Sequence, residues 1–290
     1  MARTSAKAKS SAATVLEFDQ EKIKAREAEV AKETDEQILE RLGERFEILT
    51  EMTKAVKSGD VRAMIVSGPP GVGKSFGVEE VLSKDDLFDK LGNRKPKYEI
   101  VKGAMSALGL YAKLYEFSDA KNVLVFDDCD SILMEDLSLN ILKGALDSSK
   151  KRTIAWNTDS RLLRSEGIPD KFEFKGAAIF ITNIKFEHVR SKKLKDHLDA
   201  LESRCHYIDL QMDTTREKIL RIKQVVEQGD MLAHYEFEDC VKDELVEFVE
   251  TNKDKLRELS LRMVLKVADL RKSFPNSWKA MAKTTCMKRV

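Results

Sequence analysis

Apolar positions along the chain follow two rhythms, and the place where one gives way to the other divides it. Residues 63–66, 98–102, 122–126, 177–182 and 206–210 read as strands, and several of them are continuous apolar runs that suit a sheet interior. Between them, 75–82, 137–146 and 195–203 read as helices, and 104–117 as a loop passing into one. Strands of this kind alternating with helices predict a parallel sheet covered on both faces. Past Asp213 only the helical rhythm remains. Thr214-Thr215-Arg216-Glu217 is a capping box opening a helix that runs through Val226, and 237–250 and 260–274 are further helical stretches.

The same patterning organises the N-terminal part. Residues 18–56 are dense in Glu, Lys and Ala, with Ile38, Leu39, Leu42, Phe46, Ile48 and Leu49 as an apolar face, and Gly59-Asp60 stops this helical stretch. Residues 1–14 have almost nothing to bury and read as a disordered tail. Arg3, Lys7 and Lys9 in that tail could touch an anionic partner, or be no more than solvated charge. The expected organisation is therefore a tail at 1–14, a helical arm at 15–58, an α/β domain at 59–212 and a small all-helical domain at 213–290.

Ser67-Gly68-Pro69-Pro70-Gly71-Val72-Gly73-Lys74-Ser75 joins the first strand to the helix after it. It matches G-x-x-x-x-G-K-[ST], in which glycines let backbone N–H groups close around nucleotide phosphates, the lysine reaches the β- and γ-phosphates, and the serine hydroxyl holds Mg²⁺. The strand, loop and helix order puts a helix N-terminus behind the anion. The expected nucleotide-binding residues are Pro70, Gly71, Val72, Gly73, Lys74, Ser75 and Phe76. Downstream, Val123-Leu124-Val125-Phe126-Asp127-Asp128 is an apolar strand ending in acidic residues, the Walker B form. A carboxylate at the carboxyl end of a central parallel strand lies in the crevice where ligands of open α/β sheets bind. Asp127 is expected to hold Mg²⁺ together with Ser75, and Asp128 to polarise the attacking water.

Composition narrows the picture only a little. The chain has 290 residues, enough for one large domain with an appendage or for two domains. Charged residues make up 35%, above the globular norm, which suits exposed helices, while a net charge of +1 gives no global footprint for nucleic acid or an anionic membrane. Cys129, Cys205, Cys240 and Cys286 lack C-x-x-C pairing or metal-ligand spacing, so buried reduced thiols and a cytoplasmic setting are expected. No run approaches the length of a membrane span, and no signal-peptide core is evident at the start.

With both nucleotide motifs in place, residues 46–274 resemble the AAA+ ATPase superfamily. The resemblance implies a P-loop NTPase with a central parallel five-stranded sheet flanked by helices, followed by a helical lid domain. It further implies ATP and Mg²⁺ as cofactors and a homo-oligomer, expected as a ring of six. Ile179-Phe180-Ile181-Thr182-Asn183 is similar to the strand ending in sensor 1, which implies that Asn183, or else Thr182, contacts the γ-phosphate or the water. Ser203-Arg204-Cys205 matches the position of an arginine finger offered to the neighbouring subunit, with Arg190 a weaker alternative. Leu259-Ser260-Leu261-Arg262 matches sensor 2 and would put Arg262 over the phosphates. One departure matters: Asp-Asp stands where the family usually carries Asp-Glu. The presumed base Asp128 is one methylene short, so turnover could be slow or Asp130 could share the role.

The target is less legible. Met105, Leu108 and Tyr111 follow the second strand, where the family carries a pore-facing loop, but Leu108, Tyr111, Leu114 and Tyr115 also have the spacing of a buried helix face. Residues 153–156 and 172–174 alternate like strands and read as a hairpin, either projected toward a pore or a surface extension. Lys185, Arg190, Lys192, Lys193 and Lys195 form one basic cluster. The expected activity is remodelling of a macromolecule, a protein by preference. A clamp-loader or helicase-loader type of DNA-associated ATPase, and a nucleotide-dependent scaffold, are the alternatives.

Overall fold

The computed structural model describes residues 25–84, 95–184, 186, 189 and 191–288. The tail with Arg3, Lys7 and Lys9, the start of the helical arm, part of the expected turn at 92–96, and Lys185 and Arg190 lie outside the described residues. The chain forms two compact units: one is Arg45–Gln211, and the other joins the described residues up to Glu44 to Met212 onward. Each is described by itself.

The unit Arg45–Gln211 is built on β1 (Ala63–Ser67), β2 (Tyr98–Lys102), β3 (Val123–Asp127), β6 (Ala177–Thr182) and β7 (His206–Asp209). These form one five-stranded sheet in the order β2-β3-β6-β1-β7, with every pairing parallel. Strand periodicity explains why the central strands have no polar face. Ala63 and Ile65, Leu124 and Phe126, and Ala178 and Phe180 point into one core cluster, while Met64 and Val66, Val123 and Val125, and Ile179 and Ile181 point into another.

The first core is closed by helices α3 (Ala107–Glu116), α4 (Asp130–Met134), α5 (Asp136–Ala145) and α7 (Lys192–Glu202), and the second by α2 (Lys74–Ser83) and the C-terminal half of α1 (Asp35–Ser58). Tyr111 is fully buried in the first core and its hydroxyl donates to Pro169 O at 2.8 Å, so it serves the helix face rather than a pore loop. Met105 is half-buried against the same core. The expected hairpin exists as antiparallel β4 (Thr153–Ala155) and β5 (Lys171–Glu173), carrying the short helix α6 (Arg161–Ser165) at its tip.

Three expectations change. The helical stretch before β1 is broken. Residues 25–30 are helical, and a new helix begins after Thr34, whose N–H donates to Gln37 Oε1 at 2.9 Å while its hydroxyl accepts from Gln37 N at 3.3 Å. Ile48, placed on the apolar face from the sequence, is 53% exposed, because the buried stripe runs through Ile38, Leu42, Leu49, Thr53 and Val56. The cysteines are all free, but only Cys129 and Cys286 are buried; Cys205 is half-buried and Cys240 exposed.

The second unit contains helices α8 (Thr215–Gln228), α9 (Asp239–Thr251), α10 (Leu261–Ser273) and α11 (Trp278–Thr285). Leu245, Val264 and Val267 are fully buried at its centre, and Phe248 meets Trp278 edge-on with centroids 5.0 Å apart. Glu217 caps α8 reciprocally with Thr214, as the sequence indicates. Its Oε1 also accepts from Arg26 at 3.1 Å and Arg41 at 3.0 Å, so a fully buried carboxylate has both oxygens satisfied. The N-terminal segment thus packs with the C-terminal helices of its own chain. No described helix is long and apolar enough to cross a membrane.

Candidate nucleotide site

Strand register puts the chemistry in one place. Ser67 is level with Thr182 across β1 and β6, Asp127 with Ile181 across β3 and β6, and Lys102 with Asp127 across β2 and β3. Four strands therefore end together, and their carboxyl ends present loops to one crevice. The loop after β1 needs its glycines. A Cβ on Gly68 would lie 3.0 Å from Leu210 O, and Gly73 caps α2 at φ +102°. Lys74 and Ser75 are the first residues of α2, so the helix N-terminus faces the crevice.

Lys74 is 6% exposed, and its ammonium donates to Gly68 O at 2.6 Å, Pro69 O at 2.9 Å and Asn183 Oδ1 at 2.7 Å. Asn183 in turn donates from Nδ2 to Asp128 Oδ1 at 2.8 Å. The orientation of that amide is fixed by its neighbours, since an ammonium can only donate and a carboxylate only accept. One amide thus links the P-loop lysine to the second Walker B aspartate. Asp128 is exposed with φ +54°, a left-handed conformation that Asp tolerates better than most residues, and its N–H bonds Ile181 O at 3.0 Å. Beside it, Ser75 Oγ donates to Asp127 Oδ1 at 2.8 Å, and Asp127 is 5% exposed.

Two alternatives left open by the sequence are bonded to each other. The Thr182 hydroxyl donates to Asp130 Oδ1 at 2.8 Å and accepts from Ile184 N at 3.0 Å, so Thr182 and Asp130 fasten the β3 and β6 loops to each other. The thiol of Cys129 reports the local field. Burial pushes its pKa up, and the charges of Asp127 and Asp130 push it further, as expected beside a concentration of negative charge.

The donor set fits a Mg²⁺-nucleotide. A hydroxyl and one buried carboxylate, both hard oxygen donors, adjoin a lysine and a helix N-terminus. Mg²⁺ in such sites takes one or two protein oxygens and completes its shell with phosphates and water. Among the described residues no group of three His, Cys, Asp or Glu side chains could hold a metal by itself.

The remaining sequence candidates are more scattered. Val72 is buried in the loop, and Phe76, one residue past Ser75, is 64% exposed. Arg204 follows α7 half-buried, its guanidinium turned back onto Ala200 O. Arg262 belongs to the other unit, exposed in the first turn of α10, whose N-cap Ser260 accepts from Met263 N. Lys102 was not singled out from the sequence: its ammonium lies 3.4 Å from Asp127 Oδ2, and only the pairing of β2 with β3 reveals it.

A parallel sheet with a P-loop leaving β1, an acidic pair ending β3 and an amide after β6, together with a C-terminal helical unit, is the P-loop nucleotide-binding fold that the AAA+ resemblance implies. No family model matches the chain. It is 33% identical over 256 residues to the uncharacterized 36.7 kDa protein of the nrdC-mobD intergenic region of Enterobacteria phage T4, covering 88% of this chain and 77% of that one, and it belongs to that protein's family. Similar solved structures include S. cerevisiae Hsp104 in its extended casein complex, at 16% identity and TM-score 0.45 over 81% of this chain. Brucella abortus NtrX in complex with ATP is another, at 10% identity and TM-score 0.48 over 96% of this chain. The chain spans 39% of the first and 60% of the second, and the reading of the site rests on its own residues.

Proposed function

We propose that the chain binds ATP with Mg²⁺ and hydrolyses it. The observation that carries this reading is the continuous hydrogen-bond path from Lys74 through Asn183 to Asp128, with Ser75 and Asp127 paired beside it. Lys74 binds the β- and γ-phosphates, Gly71 to Phe76 surround them with loop and helix N–H groups, and Pro70, which has no N–H to offer, shapes the loop beside them. Ser75 and Asp127 would hold the metal, which would supply positive charge to offset that of the phosphates. Asp128 takes the proton of the attacking water, since its second carboxylate oxygen has no hydrogen bond among the described residues. Asn183 orients that water and registers the γ-phosphate. Arg262 is assigned to the phosphates in the role of sensor 2, and Arg204 is supplied to the site of a neighbouring subunit, so hydrolysis belongs to a homo-oligomer, a ring of six.

The output we assign is remodelling of a macromolecule, a protein rather than a nucleic acid, because a net charge of +1 offers no footprint for a phosphate backbone. The test is the ATPase rate with unfolded protein, single-stranded DNA or duplex DNA added. Stimulation by unfolded protein is expected. Stimulation by DNA alone would replace this reading with a DNA-associated ATPase, and no hydrolysis under any condition would leave a nucleotide-dependent scaffold.

A further inference from the structure

Asp127 is shared. Its Oδ1 accepts from the Ser75 hydroxyl at 2.8 Å, while Oδ2 faces the Lys102 ammonium at 3.4 Å. The contact follows from the sheet. Lys102 ends β2 and is paired with Asp127 at the end of β3, so neighbouring parallel strands bring the two side chains to the same face of the sheet. The two partners differ in freedom: the Asp127 side chain is 7% exposed and held by its surroundings, whereas that of Lys102 is 62% exposed. A long side chain in water can swing away from a fixed carboxylate at little cost.

We propose that Lys102 competes with the divalent cation for Asp127 and so sets the Mg²⁺ concentration at which the nucleotide site fills. The inference rests on reading Ser75 and Asp127 as the metal-holding pair. A cation arriving there meets a carboxylate already half-neutralised by an ammonium, and is repelled by that ammonium as well. Both effects weaken metal binding, and both end when Lys102 moves out. Lys102 is in this sense a positioning residue that acts on the metal through Asp127. Its effect falls on metal affinity and leaves metal-free nucleotide binding unchanged.

The test uses the full chain with a fluorescent non-hydrolysable ATP analogue, whose binding is followed first in EDTA. Mn²⁺ is then titrated against the saturated complex by electron paramagnetic resonance. Lys102→Gln should lower the Mn²⁺ dissociation constant on the order of five-fold, the scale expected of a partly exposed pair, with analogue affinity in EDTA unchanged. Lys102→Arg keeps the charge and should behave as wild type. So should Lys121→Gln, which removes the same charge beyond the opposite end of β3. Unchanged or weaker Mn²⁺ binding in Lys102→Gln, with the analogue still bound, would overturn the inference and leave the nucleotide site standing. Failure of the wild type to bind the analogue at all would remove both.

Discussion

At the scale of single residues, Asp128 separates backbone from chemistry. Its left-handed φ of +54° suits Asn as well as Asp, and an Asn there can still accept from Asn183. Asp128→Asn therefore keeps the loop and removes only the base. We expect ATP affinity near wild type and a kcat lower by about 10²–10⁴, whereas Lys74→Ala should lose binding and turnover together. Equilibrium nucleotide binding and steady-state hydrolysis on both variants check this; a wild-type rate in Asp128→Asn would remove the assignment. Glu217 makes a different case. Burial alone would raise its pKa, but the Thr214 N–H, Arg41, the Thr214 hydroxyl and Arg26 hold it below its ordinary value of 4.5. A depressed carboxylate contributes stability that is complete above its unfolded value and is lost as pH falls below it. Glu217→Ala should cost about 3 kcal/mol at neutral pH, and Glu217→Gln should flatten the acid side of the stability curve, both read by urea unfolding. Much of the residue-level picture was legible beforehand: Lys74, Ser75, Asp127, Asp128 and Asn183, named from motifs in separate parts of the chain, meet in one crevice. Lys102 and the two arginine partners of Glu217, Arg26 and Arg41, were not, because their contacts join segments distant in sequence and no local spacing encodes such a pairing.

At the scale of elements, the strands read clearly because both faces of the sheet are covered, which turns each central strand into an unbroken apolar run. The hairpin read through its alternation, with Ile154 buried between exposed Thr153 and Ala155. The break before α1 did not. Thr34 and Gln37 form a capping pair inside a stretch whose composition is helical on both sides, and composition masks a cap. The entry to β6 carries a constraint that composition also hides. A Cβ on Gly176 would lie 2.3 Å from Phe117 O and 3.1 Å from Asn122 O, both backbone atoms. Neither can yield easily, since Asn122 O already accepts from Ala177 N at 2.8 Å. Gly176→Ala should therefore cost about 3 kcal/mol, seen as a lower urea midpoint with an unchanged slope. An unchanged midpoint would mean that the strand entry is roomier than these distances allow.

At the scale of the whole molecule, the proposed site is incomplete within one chain. Lys74, Asp127, Asp128 and Asn183 come from one subunit, and the proposal takes Arg204 from the next. Such an arrangement has a signature that loss of activity in a single variant cannot give, since Arg204→Ala would be inactive whether the arginine acts in its own site or its neighbour's. A mixture resolves the two. Lys74→Ala subunits cannot bind nucleotide but still present Arg204, and Arg204→Ala subunits bind nucleotide but present no arginine. If the arginine acts in trans, an Arg204→Ala subunit regains a complete site wherever its supplying neighbour is Lys74→Ala. For random equimolar assembly, half the subunits bind nucleotide and half of those have such a neighbour, so the mixture should recover about a quarter of the wild-type rate per subunit. If Arg204 acts within its own subunit, every site in the mixture lacks one essential group and the rate stays at that of the separate variants. Recovery should also vanish on dilution below the assembly concentration, which ties the catalytic result to the oligomer.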